Sequence, residues 1–313
     1  MKAIMYHYIR NSNKDMPFFR YLSIDNFKKQ LDYFEKEYGF VTYDEFNSFL
    51  NDYSLYDTIK NRVILTFDDG FLDHYEYVLP ELLKRNLFGL FYIPTGVYEK
   101  KKALDVHRIH FLLGKYGGEV LIDAIKNRVQ DHMLQEKEVN TFKEITYTTQ
   151  DNDFYTQEFK KIFNYYIKYE HRENLLDEIV KEFSSEEEIF TNLYMSIEQL
   201  KEMQTNNMII GSHSVNHFVF SKLSNSEQYY EINNSFKFLE QNSEKSKVKT
   251  FCFPYGGFET FTDYTEKILH NCGCDFSFNV EYRDIELKDF KNRAQALPRY
   301  DCNQFLHGNA NLG

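Results

Sequence analysis

The feature that most constrains this chain is an alternation of short apolar runs with stretches of helical spacing, present in both its first and last thirds. The clearest run is Arg62-Val-Ile-Leu-Thr-Phe67, which stops abruptly at Asp68-Asp69-Gly70 and predicts a buried strand. Residues 2–8 read as a strand before it. Between the two, Ser23 can cap a helix whose Phe27, Leu31 and Phe34 recur at i, i+4 and i+7; residues 40–42 then read as extended and 43–50 as helical. After it, Pro80 can open a helix over 81–86, and 87–93 return to a strand.

The same rhythm resumes at Ser196, which forms a capping box with Gln199. Residues 208–211 follow as a strand, Ser224 and Glu227 repeat the capping signature for a long helix to about residue 241, and 250–253, 276–280 and 296–300 are further strand candidates. Residues 259–270 have helical spacing. Seven or eight strands separated by helices favour a parallel sheet closed, or nearly closed, into a (β/α) barrel, with its chemistry at the C-terminal strand ends. Residues 101–195 are charged and mostly helix-compatible. They read as a helical insertion that shapes a substrate cleft or a homo-oligomer interface, leaving 1–100 and 196–313 as two parts of one barrel.

Composition removes several function classes. The 313 residues carry a net charge of −11, the wrong sign for general attraction to nucleic acid or an anionic bilayer. Mean hydropathy is −0.59, and no window approaches the roughly 20 apolar residues of a spanning helix. The N-terminal stretch turns polar too early for a secretion signal. The four cysteines lack C-x-x-C spacing and read as reduced thiols, so a cytoplasmic protein is expected.

Three polar clusters each follow a predicted strand: Asp68-Asp69-Gly70, His213-Ser-Val-Asn-His217, and Phe253-Pro254-Tyr255-Gly256-Gly257. Singly, their ordinary readings are a tight turn, a solvated histidine pair and a Pro-Gly turn. Together they supply more. One carboxylate plus two imidazoles four residues apart suits a divalent cation with positions left open for water and substrate; zinc comes first, and cobalt, nickel or iron are also admitted. A turn fixed by Pro254 can aim a backbone N–H at a developing oxyanion. A phosphatase of the haloacid type needs one residue between its two aspartates, so the adjacent Asp68 and Asp69 exclude it.

In these motifs and their order the sequence resembles the polysaccharide deacetylases, carbohydrate esterases with a NodB-like domain. The match runs through Thr66-Phe67-Asp68-Asp69-Gly70, His213 to His217 and Phe253-Pro254-Tyr255-Gly256, with similar flanks at Met5-Tyr6-His7, Ile209 to Ser212 and Leu297-Pro298-Arg299. The resemblance implies a distorted (β/α) barrel with Asp69, His213 and His217 on the metal and Asp68 as general base. The backbone N–H of Tyr255 would serve the oxyanion, and Pro254 would lie at the substrate. Two departures stand out. The arginine expected two residues before the Pro of the third motif is Cys252 here, a place Arg299 could fill, with a structural salt bridge as its alternative role. For the general acid, His7 is preferred over His307, which otherwise sits by the substrate.

The activity so implied is removal of an N-acetyl group from an amino sugar by a water activated on the metal, in a glycan or glycan precursor. The alternatives are another amide deacylase, such as a deformylase, and a catalytically silent glycan-binding homologue. His107, Arg108 and His110 in the insertion could read substrate, with surface solvation as the commoner role. His74, His132, His171 and His270 read as ordinary surface or helix residues.

Overall fold

Seven short parallel strands form the frame: β1 Lys2–Tyr6, β2 Val63–Phe67, β3 Leu90–Ile93, β4 Ile209–Ser212, β5 Thr250–Cys252, β6 Phe276–Phe278 and β7 Tyr300–Asp301. Their spatial order is β6-β5-β4-β3-β2-β1-β7. From β1 to β6, neighbours in sequence are therefore neighbours in space, and β7 lies beside β1. Lys2 to Tyr6 lie opposite Val63 to Phe67, and Leu90 to Ile93 opposite Ile209 to Ser212. This computed structural model describes residues 1–134, 153–244 and 248–312; part of the stretch read as an insertion, 135–152, lies outside the described residues.

The sheet curls into a half-barrel whose edges are bridged by the extended segment 297–301. Leu297 N–H donates to Ser277 O at 2.8 Å and Asn279 N–H to Leu297 O at 2.9 Å, while Tyr300 and Asp301 pair with Ile4 and Met5. All five residues of β2 are buried, the pattern of a strand covered on both faces. Inside the sheet and under its helices, Tyr6 stacks on Phe67 at 5.3 Å and Phe67 on Phe91 at 4.6 Å.

The helices start where their caps direct them. Ser23 Oγ accepts from Asn26 N–H and opens α1 (Ile24–Glu37), which buries Phe27, Leu31 and Phe34 as its spacing predicts. A capping box of Thr42 and Glu45 opens α2 (Tyr43–Asn51). Helix α3 (Leu79–Lys84) begins before Pro80 and follows a π-helical turn, His74–Val78, that the sequence pattern does not reveal. The boxes at Ser196 and Ser224 open α4 (Ile197–Thr205) and α5 (Asn225–Asn242), followed by α6 (Asp263–Asn271) and α7 (Leu287–Asn292).

Two units divide the chain: residues 1–11, 21–100 and 193–310 carry the barrel, and 12–20, 101–192 and 311–313 form the other. The second unit is helical, with Asp105–Tyr116, Gly118–Ile125, Phe154–Lys161 and Tyr169–Phe183. Surface solvation does not describe His107 or Arg108. Arg108 is fully buried and paired with Asp105 at 3.0 Å, Glu186 at 2.7 Å and Asp177, and His107 is buried beside it. Lys102 joins the network through Glu173 and Asp177. No helix among the described residues is long and apolar enough to cross a membrane, and the four cysteines are free.

Candidate active site

Each of the three motifs emerges from the C-terminal end of a strand, so side chains distant in sequence are delivered to one rim. His7 follows β1, Asp68 and Asp69 follow β2, His213 follows β4, and Pro254 and Tyr255 follow β5. Arg299 immediately precedes β7. Its guanidinium is 1% exposed and grips Asp68 with two parallel bonds, Nη1 to Oδ1 and Nη2 to Oδ2, both 2.7 Å. Nη1 also donates to Thr66 Oγ1 at 3.1 Å, and Nη2 lies 2.9 Å from Cys252 Sγ. The small side chain of Cys252 thus stands beside the guanidinium.

Burial pushes the Asp68 carboxyl up, but the positive charge of Arg299, with His213 and His7 beside it, outweighs burial and holds it below the ordinary carboxylate value. Asp68 is therefore ionised at neutral pH. The His7 ring, 42% exposed, stands with Nε2 3.9 Å from Asp68 Oδ2 and 3.9 Å from Asp69 Oδ2.

Asp69 turns the other way. Its Oδ1 lies 3.7 Å from His213 Nε2 and 3.6 Å from His217 Nε2, too far for hydrogen bonds, and ligand atoms of the three residues lie within 4.8 Å of one another. His213 Nδ1 is 2.8 Å from the Cys252 carbonyl oxygen, which can only accept, so this ring carries its proton on Nδ1 and turns the Nε2 lone pair toward Asp69. Burial depresses the His213 pKa and keeps the ring neutral, against the pull of Asp68 and Asp69. Two lone-pair donors facing each other in a buried site repel unless a cation joins them. The donor set of Asp69, His213 and His217 therefore fits a divalent ion with nitrogen and oxygen ligands.

The loops that present these groups are strained. Asp69, Ser214, His217 and Tyr255 all have positive φ, at 75°, 66°, 57° and 67°, which costs a non-glycine residue about 1–3 kcal/mol each. Gly256 follows at φ 65° with Val280 packed so closely that a Cβ there would meet it at 2.2 Å. Asn279 Oδ1 accepts from Gly257 N–H at 2.8 Å, pinning the same turn. The Tyr255 ring is exposed and 4.9 Å from that of His217. Pro254 is buried beside it.

His307 is placed differently. It is exposed, with φ 66°, in a loop held to α1 through Gln30 Nε2, which donates to the carbonyls of Cys302 and Leu306. No contact of it with either aspartate is seen among the described residues, whereas His7 Nε2 lies 3.9 Å from a carboxylate oxygen of each.

Two residues that sequence reasoning passed over support the site. His74 is completely buried rather than a surface or helix residue of the ordinary kind. Its ring lies among Phe67, Phe71 and Phe91, Nε2 is 2.8 Å from the His7 carbonyl, and burial lowers its pKa to about 4. Glu231 on α5 is 3% exposed and accepts from the loop between His213 and His217; burial nonetheless pushes its carboxyl up.

Comparison with known proteins bears on the fold. The family model described as "Polysaccharide deacetylase" matches residues 176–277, which include His213, His217, Pro254 and Tyr255. No curated protein matches the chain. Among solved structures, the deacetylase PplD of Streptococcus pyogenes, in complex with acetate, is 16% identical, with a TM-score of 0.58 over 96% of this chain and 91% of that one. A de-N-acetylase from Aggregatibacter actinomycetemcomitans gives 14% identity and a TM-score of 0.53 over 96% and 93%. A polysaccharide deacetylase from Bacillus cereus gives 13% and 0.52 over 96% and 64%. At such identities the likeness is one of fold. By its family-model match and by its parallel sheet curled into a barrel-like frame, the chain resembles the polysaccharide deacetylases, as its motifs led us to expect.

Proposed function

We propose that this chain is a metal-dependent hydrolase that removes an N-acetyl group from an amino sugar in a glycan or glycan precursor. The observation that carries the reading is the pairing of two unlike carboxylates at one strand end: Asp68 locked to a buried guanidinium, Asp69 turned toward two imidazoles. Asp69, His213 and His217 would hold the cation, zinc by first choice, with cobalt, nickel or iron also suited to the donors. Such an ion, when bound, polarises an amide carbonyl and lowers the pKa of water from 15.7 toward about 7.

The chain's own groups would do the rest. Asp68, kept ionised by Arg299, would take a proton from the water as its oxygen bonds to the carbonyl carbon. The Tyr255 backbone N–H would steady the oxyanion that forms there. His7, beside both carboxylates and open to solvent, would give a proton to the sugar nitrogen as the C–N bond breaks, leaving acetate and a free amine. Its backbone carbonyl accepts from His74, which fixes where that ring begins.

Metal analysis beside acetate release tests this. Asp68→Asn is expected to retain metal and lose at least ~10²-fold in turnover, whereas His213→Ala and His217→Ala lose the metal itself. Full turnover in Asp68→Asn overturns the base assignment. Formate in place of acetate makes the enzyme a deformylase, and glycan binding without release at full metal occupancy makes it a silent homologue.

A further inference from the structure

Glu231 reaches from α5 into the loop between the two histidines. Its Oε2 accepts from Val215 N–H at 3.0 Å and Asn216 N–H at 2.7 Å, and its Oε1 from Asn216 Nδ2 at 2.6 Å. One helical turn on, Ser235 Oγ lies 2.6 Å from Ser212 Oγ, which itself accepts from Ser214 N–H at 3.1 Å. Two residues of one helix face, spaced i and i+4, thus grip the chain on both sides of His213.

A helix that only had to cover a strand would not need them. Ile232, Phe236 and Leu239 already give α5 an apolar face, and burying a carboxylate is costly unless donors surround it. The loop it holds is strained, because Ser214 and His217 both adopt left-handed backbone. His217 N–H donates to Ser214 Oγ at 3.0 Å, so the strain is linked across the loop that Glu231 anchors.

We propose that Glu231, backed by Ser235, is a positioning residue for the cation: through the backbone of Val215 and Asn216 it keeps His213 and His217 at ligand separation. The proposal rests on Asp69, His213 and His217 forming the metal centre. Glu231→Gln keeps the volume but turns an amide NH2 toward one of the N–H donors, so a bond becomes a donor–donor contact.

The test titrates metal-free protein with Co2+, and then Zn2+, against a competing chelating dye while the cobalt absorption spectrum is recorded. We expect Glu231→Gln to bind Co2+ about 10- to 100-fold more weakly than wild type and to change the cobalt spectrum. Glu81→Gln, which removes a buried carboxylate paired with Arg85 at 2.6 Å on α3, is expected to lower the melting temperature and move neither readout. Equal affinity and spectrum in wild type and Glu231→Gln overturn the proposal while the metal reading stands. If wild type takes up neither ion, the metal reading falls and this proposal with it. Should Glu231→Gln fail to fold, Asn216→Ala, which deletes the Nδ2 bond to Glu231 together with the bond Oδ1 accepts from Lys100 Nζ at 2.8 Å, must weaken Co2+ binding by roughly threefold or more while Lys100→Ala does not; unchanged binding, or an equal loss in Lys100→Ala, is equally decisive against it.

Discussion

Arg299 and Asp68 show how much of this site depends on one pair of side chains. Both are almost completely buried, and the guanidinium satisfies both carboxylate oxygens in the planar, bidentate geometry that arginine alone offers. Such a pair adds little net stability over a well-packed apolar one, but removing one partner strands a charge and typically costs about 3–5 kcal/mol. Arg299→Met should therefore lose roughly that amount in a denaturant titration. Asp68→Asn combined with Arg299→Met should recover part of it, and a double variant as unstable as the sum of the singles would show that the two residues do not act as a pair. The sequence left Arg299 between this role and a structural salt bridge, because a lone arginine near a strand carries no sign of what it meets.

At the level of elements, the π-helical turn His74–Val78 sets one imidazole under the strand end that bears His7. The unfolded ring takes up its proton near 6.5 and the buried one only near about 4, so between those values the unfolded state binds more protons. The stability held by neutral His74 is complete above about 6.5 and is lost as pH falls toward 4, amounting to about 3 kcal/mol across the window. Denaturant titrations at pH 7 and pH 4 should show that extra loss in wild type relative to His74→Gln; parallel losses would contradict it. The caps of α1, α4 and α5 were legible because Ser before an apolar spacing has one local job, whereas the box of Thr42 and Glu45 on α2 was not read from the sequence. The π turn was not, since nothing in its sequence distinguishes it from an ordinary helix start. Glu231 was hidden for a related reason: glutamate inside a helix is most often solvated, and only the packing shows the loop it holds.

For the whole molecule, the frame was readable from apolar runs that end in chemically meaningful residues, which is why Asp68, Asp69, His213 and His217 could be placed at strand ends before any coordinates. The bridge between the sheet edges was less so. Residues 296–300 suggested one strand, yet 294–296 form a 3-10 turn, Leu297 pairs with the β6 side, and only Tyr300–Asp301 pair with β1. So short a seam has few ladder bonds to hold it. Hydrogen exchange read residue by residue should find the amides of Leu297 and Asn279 exchanging faster than those of Val63 to Phe67; equal protection would mean that the seam is as firm as the centre of the sheet.

The guanidinium that steadies Asp68 stands 231 residues downstream of it. At a translation rate of about 5–20 residues per second, a nascent chain emerging from the ribosome would carry that carboxylate for roughly 10–50 seconds before its partner had been made. Throughout that interval the growing polypeptide would carry the Asp68 carboxylate without its guanidinium, so the pairing would form late in synthesis, when the seam closes.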